Sequence, residues 1–403
     1  MKCISVVPCG MFRLAKRTKP ASSYIHNNDV KLIEGGHAYF DLLEKMIVKA
    51  KHSIYFQVYI FDEDETGKRV AKALKEAALR SVKVYLLLDG YASKDLSREF
   101  ITDLKGAGVN VRMFEPLLKS KKFYFGRRLH HKVIVVDVFH CLVAGLNISD
   151  RYNDSTENKA WLDWALFAEG GVAEVLARVC IRRYKARTPI TAAGVDATHM
   201  KMADVQKNCN VRVRINDWVD RKREISNSYM EMFRKAKSHV TIMSPYFLPG
   251  YEFRRRMKQA VGRGVTIKVV QAGISDIALS KYAERYMYRW LLRNKIEIYE
   301  YQKTVLHGKI AVSDDQWMTV GSYNVNNLSA YASIELNLDV DNTTFARKVD
   351  QCLDKIIKTD CRQITEEAYR AGTSLAEHLL QTMAYSLLRV MLFLFTFYFK
   401  QKE

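Results

Sequence analysis

The sequence carries no CxxC pair, no uninterrupted apolar run of the roughly 20 residues that cross a bilayer, and no cluster of acids. Each absence excludes something. The seven cysteines, at positions 3, 9, 141, 180, 209, 352 and 361, are odd in number and irregular in spacing, so neither a disulfide framework nor a zinc site is indicated. Cys141, inside an apolar run, reads as a core thiol, and the compartment facing these residues as a reducing one. Without an acidic cluster to hold a divalent ion, no metal or other cofactor is expected. Met1 to Val7 is too short and too weakly apolar for a signal peptide. Negative charge is scarce too: 64 Lys and Arg stand against 44 Asp and Glu, a net charge of +20. That excess favours an anionic partner, either nucleic acid or an acidic lipid surface. With 48% hydrophobic and 27% charged residues over 403 positions, the chain is not disordered and has material for two domains.

What is present is a repeated motif. His307, Lys309 and Asp314 form HxKxxxxD, with Gly321-Ser322-Tyr323-Asn324 behind it. His130, Lys132, Asp137 and Asn147 stand at the same spacing, each numbered 177 below its counterpart. On a strand alternate residues share a face, so each His projects together with its Lys. An imidazole beside an ammonium suits an anion with several negative oxygens, most simply a phosphate. One short match would be weak; two in register, each ending in Asn, are strong. His131 and His140 have no repeat partner and read as core residues.

Around the motifs the chain alternates helix and strand. Periodicity predicts helices over 39–50, 67–79 and 95–104, with strands over 54–61, 82–88 and 109–114. The second half repeats this order, with helices over 229–237 and 252–261 and strands over 240–243, 265–271 and 296–301. Near-continuous apolar strands between helices predict an α/β fold whose largely parallel or mixed sheet is sandwiched by helices. The duplication predicts two pseudo-equivalent lobes, 30–184 and 209–358, joined by a linker over 185–208 rich in Thr, Ala and small polar residues. A basic leader (1–29) precedes them and a helical, apolar tail (359–403) follows. Repeated lobes usually pair about a pseudo-twofold axis, which would bring the two His-Lys sets into one site.

The paired motif is the mark of the phospholipase D superfamily, which the chain resembles from about residue 30 to residue 361. More narrowly, it resembles bacterial cardiolipin synthases of the B type. That likeness runs through Leu87-Leu88-Asp89-Gly90-Tyr91, Leu96-Ser97-Arg98-Glu99-Phe100, Ala144-Gly145-Leu146-Asn147, Tyr246-Phe247-Leu248-Pro249-Gly250 and Leu306-His307-Gly308-Lys309. The resemblance implies one active site at the interface of two phospholipase D-like lobes. It also implies a phosphatidyltransferase that moves a phosphatidyl group from one phosphatidylglycerol to another through a phosphohistidine, releasing glycerol. The catalytic motif then comprises His130, Lys132, Asp137, His307, Lys309 and Asp314. One imidazole attacks phosphorus and the other protonates the leaving alcohol. Lys132, Lys309, Asn147, Asn324 and Ser322 would bind the phosphate oxygens. By resemblance the two motif aspartates are structural, the attack falls to His130, and Asp163 and Glu335 orient the imidazoles. These two acids lie 33 and 28 residues beyond His130 and His307. Ala144-Gly145 where Gly-Gly is common, and Gly170-Gly171 where Gly-Pro is usual, depart from the family pattern.

Two stretches bear on the partner. Lys121, Lys122, Phe123, Tyr124, Phe125, Arg127 and Arg128 set rings among cations just before the first motif. Such a lip suits a membrane interface, and the same composition suits base stacking on nucleic acid. Tyr251, Phe253, Arg254, Arg255 and Arg256 form a second patch. Ala384 to Phe399 is almost wholly apolar; as a helix about 24 Å long it is short for a span. It would either bury in the headgroup region or pack on the second lobe, and the membrane is the favoured reading. The expected partners are therefore anionic phospholipids (phosphatidylglycerol and cardiolipin) and a membrane surface, with no nucleic acid. The expected location is the cytoplasmic side of a bacterial inner membrane. A phospholipase D hydrolase giving phosphatidic acid, a nuclease of the same superfamily and a non-catalytic lipid-binding protein are the competing readings. Two intact motifs argue against the last. Oligomeric state is not legible.

Overall fold

In a computed structural model of the chain, the described residues are 23–116, 127–155, 159–184, 200–326, 329 and 333–400, with backbone only for 392–400. Residues 121–125 of the expected lip, most of the expected leader and most of the expected linker lie outside them.

The first lobe runs β1 (Ile25–Glu34), α1 (His37–Lys49), β2 (Ser53–Val58), α2 (Glu65–Leu79), β3 (Lys83–Asp89), α3 (Arg98–Gly106), β4 (Asn110–Phe114), β5 (Arg128–Leu129), β6 (Val133–Val136), β7 (His140–Ala144), β8 (Trp164–Glu169) and α4 (Gly171–Tyr184). The second follows with β9 (Gln206–Asp217), β10 (Lys222–Arg223), α5 (Glu224–Lys235), β11 (His239–Met243), α6 (Tyr251–Gly262), β12 (Thr266–Ala272), α7 (Ala278–Arg293), β13 (Glu297–Tyr301), β14 (Ile310–Ser313), β15 (Trp317–Gly321), β16 (Ser333–Asp341) and α8 (Thr343–Asp360). Then come β17 (Cys361–Ile364), α9 (Glu366–Ala371) and α10 (Leu375–Lys400). β9 begins inside the segment read as linker, and β1 inside the segment read as leader.

Local chemistry sets the helix starts. Asp64 caps α2 by accepting from the Gly67 amide at 2.9 Å, and Ser97 and Asn342 do the same for α3 and α8. α1 buries Tyr39, Phe40, Leu42, Leu43, Met46 and Ile47 along one face, the spacing its sequence predicts. Each such side chain contributes roughly 1.5–3 kcal/mol on burial.

The strands form one continuous sheet across both lobes, in the order β4-β3-β2-β6-β7-β8-β1-β9-β16-β15-β14-β11-β12-β13-β17. Only the wings, β2-β3-β4 and β11-β12-β13, are parallel; the centre is antiparallel. The sheet is therefore mixed. β6 to β8 and β14 are apolar because they are buried on both faces, which in sequence looks like parallel pairing. β1 and β9 are the repeat equivalents that meet at the pseudo-twofold, antiparallel to each other. One hydrophobic cluster runs through both lobes, containing Leu129, Val133, Trp164, Ile310 and Leu336 together. The lobes therefore share a core.

Candidate active site

Each motif histidine is tied by its backbone to the other lobe. β5 pairs in parallel with the start of β16, Leu129 opposite Ile334, and the His130 amide donates to the Ile334 carbonyl at 3.0 Å. The next residue on β16 is Glu335. On the other side Leu162 bridges Leu306, and the His307 and Gly308 amides donate to the Leu162 carbonyl at 2.8 and 2.9 Å. The next residue there is Asp163. The close approach needs Gly308: a Cβ on it would lie 2.7 Å from the Trp164 ring.

The orienting acids consequently cross over. His130 Nδ1 meets Glu335 Oε2 at 2.9 Å, and His307 Nδ1 meets Asp163 Oδ2 at 2.6 Å. Both carboxylates are fully buried. A carboxylate on Nδ1 holds the proton there and leaves the Nε2 lone pair for chemistry. Asp163 is fixed in turn by the Trp164 amide at 2.7 Å, and it occupies the space a side chain at Gly145 would need. In the second lobe the equivalent position is Ser322. Its hydroxyl donates to Glu335 and accepts from the Leu336 amide at 3.0 Å. Ser322, expected on the phosphate, supports Glu335.

Burial dominates the electrostatics. It pushes His307 down to about 4, with Lys309 adding to the effect and Asp163 opposing it. His130 is lowered for the same first reason, against Glu335. Both imidazoles are thus neutral near pH 7. Lys309, also desolvated, falls to about 8, and Lys132 falls well below the ordinary lysine range. Burial alone would raise both acids, but Lys309 and His307 outweigh it at Asp163, as His130 and Lys132 do at Glu335. Lys132 donates to the His130 carbonyl at 3.1 Å, and Lys309 to the His307 carbonyl. Two neutral imidazoles flanked by two buried amines make a site that is incomplete without an anion.

Other expected residues fall differently. Asp137 accepts the amides of Lys51, His52 and Ser53 at 2.7–2.8 Å. Asp314 accepts those of Lys237, Ser238 and His239 at 2.8–3.0 Å. Both sit in the left-handed region, φ 52° and 53°, at the hairpin turns between the motif strands. They lock β2 and β11 to the motifs. Asn147 accepts from the Ile60 amide at 3.1 Å and donates to the Tyr152 hydroxyl at 2.9 Å. Tyr152 packs edge-on against His307, with ring centroids 5.1 Å apart. Asn324 is buried, and its Oδ1 has no donor among the described residues. Arg127 and Arg128, expected on the membrane lip, turn inward: Arg127 pairs with Asp217 at 2.9 Å and Arg128 with Asp89 at 3.6 Å. Of the second patch, Phe253 is core, and Arg255 and Arg256 pair with Glu252.

Sequence reasoning missed three aromatic walls: Tyr59 against His130, and Tyr152 and Trp161 against His307. It also missed Tyr246, whose hydroxyl bonds Asp276 beside the second motif. Only Tyr246 had a signal, the Tyr-Phe-Leu-Pro-Gly stretch. Among the described residues, His239, Asp315 and Asp350 are the one group of three or more that brings metal-type ligand atoms within 4.8 Å of one another. They lie at the end of β11 remote from Lys309 and form an ion pair, His239 to Asp350 at 3.1 Å.

The family model described as "Cardiolipin synthase, PLD-like domain" matches residues 43–166 and 229–357, one match per lobe. Cardiolipin synthase B of Escherichia coli is 32% identical over 85% of this chain and 84% of its own. The chain belongs to the cardiolipin synthase family of phospholipase D-like proteins. Cardiolipin synthase B of Salmonella typhimurium is 33% identical over 84% of this chain and 83% of its own. Among solved structures, phosphatidylserine synthase of Haemophilus influenzae shares the fold, with a TM-score of 0.69 over 92% of this chain and 95% of that one at 13% identity.

Proposed function

We propose that the protein is a cardiolipin synthase, transferring a phosphatidyl group between two phosphatidylglycerol molecules with release of glycerol. The observation that carries this reading is the crossed pair of histidines, each neutral at Nε2 and flanked by a buried lysine, within a chain of this family. In our reading the Nε2 of His130 attacks phosphorus, and the bond to the glycerol oxygen breaks. His307 delivers the proton to that oxygen. The diester's negative charge beside His307 favours its protonated form, and an imidazolium of low pKa is a strong acid toward an alkoxide. In the second half, neutral His307 takes the proton from the hydroxyl of the second phosphatidylglycerol. That oxygen then displaces His130 from phosphorus. Lys132 and Lys309 stabilise the equatorial oxygens throughout.

The partners this reading requires are anionic phospholipids at a membrane surface. The test is a product assay on purified protein with phosphatidylglycerol vesicles and chelator present. Cardiolipin and glycerol in equal amounts support the transfer. Phosphatidic acid alone would make water the acceptor, and activity confined to nucleic acid would overturn the substrate class.

A further inference from the structure

Among the described residues no helix is long and apolar enough to cross a membrane. α10 nonetheless has an unusual surface. It runs back along α7, with Tyr385 stacked on Tyr286 at 4.4 Å and Gln381 and Ala384 buried beneath. On its opposite side Leu375, Leu379, Met383, Leu387 and Val390, spaced three or four apart, are 49–91% exposed. Residues at that spacing lie on one face, and this one runs about 25 Å along the helix axis. A continuous apolar face of that length is not left in water without a partner.

Charge identifies the partner. Where α10 starts, α7, α9 and α10 enclose a cavity of about 320 Å³. Arg289, Arg293, Arg370 and His378 line it, with Glu366, Thr373 and Ser374. Arg370 is paired with Glu366, whereas Arg289 and Arg293 have no carboxylate partner among the described residues. The Thr373 hydroxyl donates to the Tyr369 carbonyl and the Ser374 hydroxyl to Glu377, so the two unmatched guanidiniums are what offers a site for a phosphate. A phosphate site at the end of an exposed apolar stripe matches a lipid: headgroup in the pocket, acyl region along the helix. A second copy of the chain would match the stripe but would set the same arginines against like charge, since the chain carries +20.

We propose that α10 lies in the plane of an anionic membrane with its Leu375–Val390 face immersed, and that the Arg289–Arg293–Arg370 pocket holds the phosphate of a phospholipid that is not being turned over. The site is on the second lobe, outside the histidine pair. It anchors the enzyme and makes its membrane binding depend on acidic lipid.

The experiment is vesicle flotation of the full chain on phosphatidylcholine alone and on equimolar phosphatidylcholine and phosphatidylglycerol. The double variant Arg289→Gln/Arg293→Gln is expected to bind the mixed vesicles about 30-fold more weakly, roughly fivefold for each cation removed from an acidic surface. It should bind pure phosphatidylcholine as the parent does. The double variant Leu379→Ser/Met383→Ser should lose binding to both. Unchanged binding by the arginine variant overturns the pocket. Unchanged flotation of the stripe variant, with a change in its sedimentation, means that the face is an interface between copies and overturns the docking. Inorganic phosphate that blocks flotation at constant ionic strength would make the pocket a free-phosphate site, which also overturns the proposal. Melting curves and turnover of dispersed short-chain phosphatidylglycerol, expected unchanged in both variants, separate these outcomes from misfolding. They also separate them from the transferase reading: a chain inert toward every phospholipid that still floats on acidic vesicles refutes only the transferase.

Discussion

Replacing Asp163 by Asn should damage the enzyme far more than replacing Glu335 by Gln, although both swaps remove one charge from a buried histidine pair. Asp163 has two partners: Oδ2 faces His307 Nδ1 at 2.6 Å, and Oδ1 accepts the Trp164 amide at 2.7 Å. In Asp163→Asn the amide oxygen must stay on the Trp164 N–H, so the NH2 is turned toward His307. That forces the imidazole proton onto Nε2 and removes the lone pair that proton transfer needs. The lost charge adds to this. With charge centres about 4 Å apart and an effective dielectric of about 20, the imidazolium loses about 4 kcal/mol, or roughly a thousandfold. Glu335 differs because its oxygens accept from the hydroxyls of Ser322 and Ser333. A hydroxyl can rotate and accept instead, so Gln keeps its oxygen on His130 and its NH2 finds a partner. Cardiolipin formation from phosphatidylglycerol vesicles, per mole of folded protein, is the assay. We expect kcat lower by about a thousandfold or more for Asp163→Asn, with KM little moved, and a clearly smaller loss for Glu335→Gln. An Asp163→Asn enzyme within about tenfold of the parent, or a Glu335→Gln enzyme worse than it, would refute the argument from amide orientation.

Three further outcomes follow from the same geometry. His130→Ala and His307→Ala should each abolish turnover, and substantial product from either in a radiolabelled-lipid assay would sink the shared site. Lys309 must be charged to stabilise the equatorial oxygens, and in the free enzyme that charge is lost as pH rises through about 8. An initial-rate profile of kcat/KM should therefore fall on the alkaline side with a midpoint near 8; a midpoint near the ordinary lysine value of about 10.4 would contradict the burial of Lys309. Asp314→Ala removes the acceptor of three backbone amides at a left-handed position and should cost about 2–4 kcal/mol, read as a lower denaturation midpoint, while the rate per folded molecule holds. Full stability with lost activity would instead return Asp314 to the chemistry.

Spacing alone made the duplication legible, because the constant offset between the two motifs survives every local change. The helices and strands of each lobe were legible for a similar reason: their buried faces leave a periodic trace, as in α1 and β3. Strand direction was not, since an apolar run records burial on both faces and not the sense of its neighbour. β6 and β14 show this, antiparallel and as apolar as any parallel strand. Residue roles became visible only where they depend on type. The need for carboxylates near the histidines pointed to Asp163 and Glu335, but their pairing across the lobes depends on β5 meeting β16, and a two-residue strand leaves no sequence signal. The bond from Ser322 to Glu335 was not legible, because a serine two residues before the motif Asn looks the same whether it faces a phosphate or a carboxylate. Arg127 and Arg128 were misplaced because composition does not record that Asp217 and Asp89 lie behind them.

The crossed pairing also explains how a duplicated fold holds a single site. Had each acid held the histidine of its own lobe, either half would keep an oriented imidazole when the halves separated, and the interface would only bring two finished half-sites together. Here the acid and the histidine of each pair come from different lobes, and the backbone bonds that align them are the bonds of the interface itself: His130 to Ile334, His307 to Leu162. Each imidazole gains its tautomer only when the lobes close, and the shared core around Leu129, Trp164 and Leu336 makes that closure part of folding. The departures from the repeat serve the same end. Gly308 lets Trp164 approach where the first lobe has His131, and Gly145 makes room for Asp163 where the second lobe has Ser322 holding a longer acid. The lobes are alike in strand order and unlike at the points where each must fit the other. That difference gives two equivalent histidines distinct surroundings, so that one can attack while the other carries the proton.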